Sequence, residues 1–357
     1  PEYRHYDIRK AINYYTLSAN QNNQSALINL GNIFLRGQGV PCDFQKAIYY
    51  FTLAAKLFNP EAQFNLGVIY LYGLFAPYDI NKAIHYFSLA SNLGFQKAQY
   101  FLGCIYLFGY GIEKNVKKGI FYLTLSSKGN VISAHYILGS LYHEGKYINC
   151  DIKKAIMHYK EASSFNNQYA KNNLGVIYKN GFGSEVEKNI GYAIELFKEA
   201  IKEKSTNNVV SKFNLASIYF NEQPINYWID EAFDLLIQSA KQNFQPSYEL
   251  LAMIIVKEFG SNFETVKEVI EWYIDDPGTI ANSIYQIILE QKFNDPLVFD
   301  EKYKKYRTVG FVYNYHGSIF RSLDLQKSNK NNNSQMKKKI SNLSTYFYEG
   351  FEFANHI

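Results

Sequence analysis

The sequence predicts an all-α protein, a right-handed α/α superhelical solenoid of about seven helix-pair repeats with a C-terminal helical cap. Two series of small residues carry this prediction, each with a spacing of 36 residues. The first series is Ala26, Ala62, Ala98, Ala134 and Ala170, and the second is Ala11, Ala47, Ala83, Gly119 and Ala155. A fixed period of this length is typical of stacked supersecondary units rather than of one globular core.

Each repeat contains two stretches with helical spacing of apolar residues. In the first stretch, Leu66, Ile69 and Tyr70 stand at i, i+3 and i+4, and in the second, Ala83 and Phe87 stand at i and i+4. This spacing places the apolar residues of each stretch on one helix face. We therefore predict two antiparallel helices per repeat, called helix A and helix B.

Residue types at the predicted helix ends support these boundaries. An Asp or Asn stands four residues before the small residue of six helices B, and its side chain can cap the first turn. These residues are Asp7, Asp43, Asp79, Asn115, Asp151 and Asn189. A glycine, which adopts positive φ at little cost, is predicted to end each helix A. These glycines are Gly37, Gly73, Gly109, Gly145 and Gly181.

A Leu-Gly pair recurs in the middle of each helix A, as in Leu66-Gly67. A glycine inside a helix costs about 1 kcal/mol relative to alanine. Its recurrence predicts that a neighbouring helix comes too close to leave room for a larger side chain. After residue 180 the period loosens, and insertions near 184–190 and 204–209 are expected in loops.

The C-terminal part departs from the repeat. We expect the solenoid to span 1–292, with degenerate closing helices at 264–275 and 279–292. A helical extension (293–326), a disordered, basic, Asn-rich linker (327–339) and a short terminal helix (340–357) are expected to follow. Residues 291–357 contain 11 Lys and Arg against 6 Asp and Glu, whereas the rest of the chain contains 26 of each. A neutral repeat body argues against a nucleic-acid partner, although the Lys337–Lys339 run leaves open a contact of the tail with nucleic acid or an acidic membrane.

The repeated pattern resembles the SEL-one-like repeat (SLR) family, a relative of the tetratricopeptide family. The motifs that carry this resemblance are Leu-Gly-x-Ile/Leu-Tyr at 66–70 and 138–142, and Asp-x-x-Lys-Ala at 79–83 and 151–155. The resemblance covers about 7–258 and implies a non-catalytic adaptor that binds other proteins. Because such repeats often follow a protein kinase domain in protists, a regulatory region of a larger enzyme is the alternative. The tryptophan typical of helix B in this family is replaced by Tyr49, His85, Phe121 and Met157.

No motif predicts catalysis or a cofactor. Gly-x-Gly sequences such as Gly37-Gln38-Gly39 follow a helix, whereas a nucleotide-binding loop follows a strand. His135 and His143 could share a helix face, but two ligands do not make a zinc site. His158 takes a position that is tyrosine in other repeats, so it is predicted to be a packing residue. We expect no catalytic residue, metal, cofactor or small-molecule substrate.

The cysteines and the hydropathy bear on the compartment. Three cysteines cannot form a disulfide framework, and Cys42 and Cys150 lie three repeats apart. No apolar run approaches the roughly 18 residues of a membrane span. These features favour the cytoplasm, or the endoplasmic reticulum lumen if an upstream signal has been removed before Pro1.

The predicted binding site is the inner face of the helices A, called here the predicted groove. Its positions vary between repeats while the packing positions do not. They are Phe64, Val68, Leu71, Tyr100, Cys104, Leu107, Tyr136, Ser140 and His143, and the same register continues to Asn172, Val176 and Lys179. A groove of this composition suits an extended peptide or an amphipathic helix of a protein partner. The alternative is that Phe64, Tyr100 and Tyr136 pack against the adjoining repeat.

Overall fold

The computed structural model describes residues 7–73, 76–202, 208–221, 225–258, 263–271 and 278–289. These residues form sixteen α-helices and no β-strand, and the isolated bridge between Phe182 and Val186 is the exception to helix and loop among them. They all belong to one compact unit. The predicted elements beyond residue 292 lie outside the described residues.

The helices follow the predicted repeat. In chain order they are α1 (Ile8–Ala19), α2 (Gln24–Arg36), α3 (Phe44–Lys56), α4 (Pro60–Tyr72), α5 (Ile80–Asn92), α6 (Gln96–Phe108), α7 (Val116–Lys128), α8 (Ile132–Glu144), α9 (Ile152–Ser164), α10 (Gln168–Asn180), α11 (Ile190–Ile201), α12 (Val209–Asn221), α13 (Ile225–Ala240), α14 (Gln245–Glu258), α15 (Phe263–Glu271) and α16 (Gly278–Leu289). The even-numbered helices from α2 to α14 are helices A, and the odd-numbered helices from α1 to α13 are helices B. The all-α solenoid of helix pairs is therefore confirmed.

From α1 to α14 each helix packs on the next one in the chain, and packing is densest between the two helices of one repeat, whereas α14 packs on α16. Consecutive helices A also touch each other directly. The rings of Phe64 on α4 and Phe101 on α6 lie 5.5 Å apart, and the ammonium of Lys179 on α10 donates to Ser217 Oγ on α12 at 2.8 Å. The helices A therefore line one side of the stack, which we call the inner side.

The Leu-Gly pairs lie at the contact between helices A and B of one repeat. A Cβ placed on Gly67 would lie 2.6 Å from Cδ1 of Phe87, a ring that is fully buried. The same approach recurs in the other repeats, at Gly31 with Phe51, Gly103 with Leu123, Gly139 with Tyr159 and Gly175 with Phe197. This confirms that the glycines are needed for close helix packing.

The predicted helix ends are confirmed. All six predicted cap residues precede a helix B and accept a hydrogen bond from the backbone N–H three residues on, as Asp79 Oδ1 does from Lys82 at 3.0 Å. The five predicted glycines end helices A with positive φ, for example +64° at Gly37. Sequence reasoning missed the Asn caps of three helices A, at Asn23, Asn59 and Asn167.

A stack of aromatic rings joins helices A and B in four repeats. The stacked pairs are Phe34 with Tyr50, Tyr70 with Tyr86, Tyr106 with Tyr122 and Tyr142 with His158, with planes within 10° of parallel. A lysine ammonium lies 5.0 to 5.3 Å from the helix-A ring in each pair. His158 is therefore a packing residue, as predicted. Tyr14 on α1 holds the register position of Tyr50 but is 70% exposed, because no helix precedes α1 in the described part.

Replacing Asp79 with alanine should reduce the free energy of unfolding by about 1 kcal/mol, because the first turn of α5 loses its capping acceptor. The exposed ion pair of Asp79 with Lys82, 3.6 Å long, adds little to this cost. Asp79→Asn keeps a capping oxygen and is the matched control. Urea denaturation of both variants measures the effect, and equal losses in the two would contradict a capping role.

Candidate functional site

Most side chains of the predicted groove are buried. The six buried residues, each at most 6% exposed, are Val68, Leu71, Cys104, Leu107, Tyr136 and Ser140. Phe64, Tyr100 and His143 are partly exposed. The nine residues lie on α4, α6 and α8, but they do not form a continuous exposed lining of the predicted groove.

The aromatic residues of the predicted groove also contact the neighbouring repeat. The Phe64 ring lies 5.7 Å from Phe87 of its own repeat, and 5.2 and 5.5 Å from Phe95 and Phe101 of the next repeat. These contacts agree with the alternative interpretation from the sequence, in which such residues pack against the adjoining repeat. Phe64 can therefore offer a partner only one side of its ring.

Tyr136 takes part in the same kind of packing two helix pairs further on. Its ring lies 6.1 Å from Tyr159 and 5.9 Å from Tyr169, which belongs to the next repeat. Tyr100, in contrast, stands edge-on to its chain neighbour Phe101, with the ring centroids 5.8 Å apart. Tyr100 is also partly exposed, whereas Tyr136 is buried.

A chain of hydrogen bonds crosses the inner side between α8 and α12. The Tyr159 hydroxyl donates to Ser140 Oγ at 3.2 Å and accepts from Asn173 Nδ2 at 3.0 Å. Asn172 Nδ2 donates to Asn173 Oδ1 at 3.3 Å, and Asn172 Oδ1 accepts from Asn214 Nδ2 at 3.0 Å. All five side chains are buried, so these bonds satisfy groups that would otherwise be costly to desolvate. Sequence reasoning missed this network because its members come from four different helices.

The inner register continues into the same polar region. Asn172, Val176 and Lys179 are all buried, and the ammonium of Lys179 donates to Ser217 on helix A of the next repeat. The inner side therefore changes along the stack, from aromatic and apolar at α4 and α6 to polar at α10 and α12.

Two histidines meet between the two helices of one repeat. His135 Nδ1 and His158 Nδ1 lie 3.0 Å apart, and His135 Nε2 lies 2.9 Å from the carbonyl oxygen of Ser127. Because a carbonyl only accepts, His135 Nε2 carries a hydrogen, and the two Nδ1 atoms share one hydrogen bond. Burial, with a contribution from neighbouring His135, lowers the pKa of His158 to about 4. The structure thus pairs His135 with His158, not with His143.

His143 is the remaining polar residue of the predicted groove. Its Nδ1 is buried and has no hydrogen-bond partner among the residues that the structure describes. Burial lowers the pKa of His143 to about 4, so the ring is neutral at physiological pH. The ring lies 6.0 Å from that of Tyr159.

The remaining candidates from the sequence are possible metal ligands, the cysteines and the Gly-x-Gly turns. No three His, Cys, Asp or Glu side chains converge as metal ligands in the described ranges. Cys42, Cys104 and Cys150 are unpaired, and burial raises the pKa of the Cys104 thiol to about 12. In two of the three Gly-x-Gly turns the second glycine lies against the preceding repeat, Gly39 against Ile8 and Gly111 against Tyr78. Gly183, in the third turn, has open space beside it.

Large exposed apolar side chains occur on the helices B instead. Tyr49 on α3, Phe121 on α7 and Met157 on α9 are 58%, 57% and 50% exposed, and His85 on α5 is also exposed. We call these four residues the outer row. They share one register position, 36 residues apart, and the replacement of the family's tryptophan was the sequence signal that marked them.

Helix pairs joined by glycine turns and stacked end to end define an α-solenoid of the helix-pair class. Seven segments of the chain match the Sel1 repeat, at 4–23, 24–57, 60–95, 96–131, 132–164, 168–205 and 209–244. These matches extend over more than half of the sequence, so the chain belongs to the Sel1 repeat family, as the resemblance predicts. Sel1 repeats are typically protein–protein interaction modules and non-catalytic scaffolds.

Two solved structures illustrate the fold. The uropathogenic Escherichia coli protein c5321, a protective antigen with an SLR fold, is 17% identical with a TM-score of 0.64, over 83% of this chain and 71% of that one. A Sel1 repeat protein from Oxalobacter formigenes is 26% identical with a TM-score of 0.54, over 62% of this chain and 89% of that one. No curated protein sequence matches the chain.

Among the described residues, none of the helices combines the length and the apolar character needed to cross a lipid bilayer.

Proposed function

We propose that this chain is a non-catalytic scaffold that binds a segment of another protein, a peptide or a helix, along the inner side of its helices A. The observation that carries the proposal is the contrast between positions. The Leu-Gly packing positions stay constant from repeat to repeat, whereas the inner positions change from Phe64 to Tyr100 to Tyr136 and then to Asn172. Packing alone needs no such change, but recognition of one particular segment does.

Within the predicted groove, we assign direct contact to the partly exposed Phe64, Tyr100 and His143. The buried residues Val68, Cys104 and Tyr136 hold these side chains in place and do not reach the partner. Aromatic rings that are already fixed by their neighbours lose little entropy on binding, which favours them as contacts.

The proposal extends to partners and compartment. A protein partner is favoured over nucleic acid or a small molecule, because the repeats form an elongated surface without a clustered set of catalytic side chains in the described part. The cytoplasm is the proposed compartment, since two of the three unpaired cysteines are exposed. The alternative of a kinase regulatory region gains no support, because the family matches concern the repeats alone.

Photo-crosslinking at Tyr100 tests the proposal. A photoreactive phenylalanine analogue at Tyr100 should trap a defined protein segment, whose sequence follows from mass spectrometry. A synthetic peptide of that segment should then bind the unmodified protein, and Tyr100→Ala should weaken this binding by about tenfold or more. Tyr136 is a poorer probe, because its truncation would also open a cavity.

The same analogue at Phe58 is the control, because Phe58 is 73% exposed and lies in the turn before α4. A segment trapped from Tyr100 but not from Phe58 would support the groove. Identical crosslinks from both positions, or a peptide that binds Tyr100→Ala as well as the unchanged protein, would contradict it.

A further inference from the structure

We propose that the outer row is a second interaction surface, and that it binds an acidic protein segment carrying apolar side chains. This surface is on the helices B and is independent of the predicted groove. It therefore goes beyond the proposed function, and either of the two proposals can fail without the other.

Packing between the helices uses the residues that follow the outer row in the chain, not the outer row itself. Residues one position further along the chain, Tyr50, Tyr86 and Tyr122, are partly buried in the aromatic stacks, and those after them, Phe51, Phe87 and Leu123, are fully buried. Tyr49, Phe121 and Met157 nevertheless expose half or more of their surface. Large apolar side chains repeated along one face indicate an interaction site more often than scattered ones do.

The rings of the outer row are held in fixed positions. Tyr49 lies edge-on to Tyr50 at 5.3 Å, His85 edge-on to Tyr86 at 5.4 Å and Phe121 edge-on to Tyr122 at 5.2 Å. Each of these partners is itself stacked on a ring of helix A. Side chains that are ordered before binding lose less entropy on association. The outer row is therefore preorganised.

The charge around the outer row is mainly positive, with Glu161 and the cap aspartates as the exceptions. Helices α3, α5 and α7 contain no Asp or Glu, and α9 contains one, Glu161. Residues three or four positions before Phe121 and Met157, and one or two turns after them, share their helix face. The exposed lysines at these positions are Lys117, Lys118, Lys128, Lys153, Lys154 and Lys160. Of these, Lys154 pairs with the cap Asp151 at 2.9 Å, whereas the cap of α7 is the neutral Asn115.

The chemistry of the partner follows from this pattern. Apolar side chains would cover Phe121 and Met157, and carboxylates between them would lie near Lys117, Lys128 and Lys153. Complementary charge adds specificity and speeds association, while the apolar contacts supply the affinity. The neutral charge of the repeat body hid this surface at the sequence level, because α3, α5, α7 and α9 contain lysines and a single Glu, whereas other helices, such as α11 and α13, contain several Asp and Glu residues.

Binding of designed peptides to the full chain tests this proposal. The probe is a labelled synthetic peptide of Glu and Leu in helical amphipathic order, and its affinity is measured by fluorescence anisotropy. We expect binding that weakens with salt, that falls about tenfold or more in the Phe121→Ser/Met157→Ser double variant, and that falls also in Lys117→Gln/Lys153→Gln.

Matched variants remote from the outer row separate this effect from general ones. Leu289→Ser removes an equally exposed apolar side chain at the end of α16, and Lys241→Gln removes an exposed lysine in the turn after α13. Both should bind the probe like the unchanged protein. Because every changed residue is exposed, circular dichroism should show the same helicity in all variants.

Three outcomes would overturn the proposal. The first is equal loss of binding in Leu289→Ser and in the outer-row double variant. The second is equal binding of a peptide in which Ser replaces Leu, which would mean attraction of charge alone. The third is binding of phosphatidylserine vesicles or single-stranded RNA by the outer row without binding of the peptide, which would assign the surface to another class of partner.

Discussion

Replacing Gly67 with alanine is expected to lower the free energy of unfolding by about 1–3 kcal/mol, although alanine is the better helix former by about 1 kcal/mol. The added Cβ would lie 2.6 Å from Cδ1 of Phe87, whose ring is fully buried and has no space to move into. The helix-A and helix-B pair of this repeat must therefore separate. Chemical denaturation of the variant measures the loss.

Gly191→Ala is the matched control, because Gly191 lies in the exposed first turn of α11 and an added Cβ there meets only Asn189 Oδ1, at 3.7 Å. It should leave stability unchanged or raise it by up to about 1 kcal/mol. A second test measures the coupling between Gly67→Ala and Phe87→Ala in a double-mutant cycle. Phe87→Ala removes the ring and costs about 3–5 kcal/mol, and Gly67→Ala should add no further loss in that background. A similar loss from Gly67→Ala with and without the ring would refute the steric explanation.

Stability should fall as the pH is lowered from about 6.5 to about 4, because two histidines are held neutral in the folded protein. The pKa values of His143 and His158 are lowered from 6.5 to about 4 by burial, so between these values the unfolded chain binds protons that the folded chain does not. The contribution is complete above pH 6.5 and is lost on acidification. At ~1.4 kcal/mol per unit, with a discount for partial exposure, the loss is on the order of 2 kcal/mol for His158.

His158→Tyr separates this effect from general acid denaturation. Tyrosine is the residue that stacks at this position in three other repeats, and it does not titrate in this pH range. Urea titrations at pH 7, 5.5 and 4.5 should show a smaller decrease in stability for this variant than for the unchanged protein. The cap carboxylates of Asp43 and Asp151 titrate lower, because backbone N–H groups of Lys46 and Lys154 depress their pKa values. An identical pH dependence in both proteins would exclude His158 as its source.

The sequence predicted the helices and their ends because these depend on neighbours in the chain. Caps such as Asp79 and terminal glycines such as Gly73 act on the turn beside them, so a local pattern is enough to find them. The spacing of 36 residues then predicted how the pairs stack. The mid-helix Gly67 could be interpreted as a packing residue because a glycine there has a cost that something must offset.

The candidate site was predicted less completely. The register placed Val68, Leu71 and Tyr136 on the inner side, but register does not give burial. Burial there depends on how closely consecutive helices A approach, and rings such as Phe95 and Tyr169 of the next repeat close over part of that face. The pairing of His135 with His158 was missed for a related reason, since it joins residues 23 apart on two helices.

The sequence by itself determined the repeating helix pair, its boundaries and its family, because each of these follows from interactions within a few turns of chain repeated at a constant period. Only the tertiary structure decided which side chains are available to a partner. Exposure depends on the distance and angle between helices that are far apart in the chain, and these covered most of the predicted groove while leaving Phe121 and Met157 exposed among lysines.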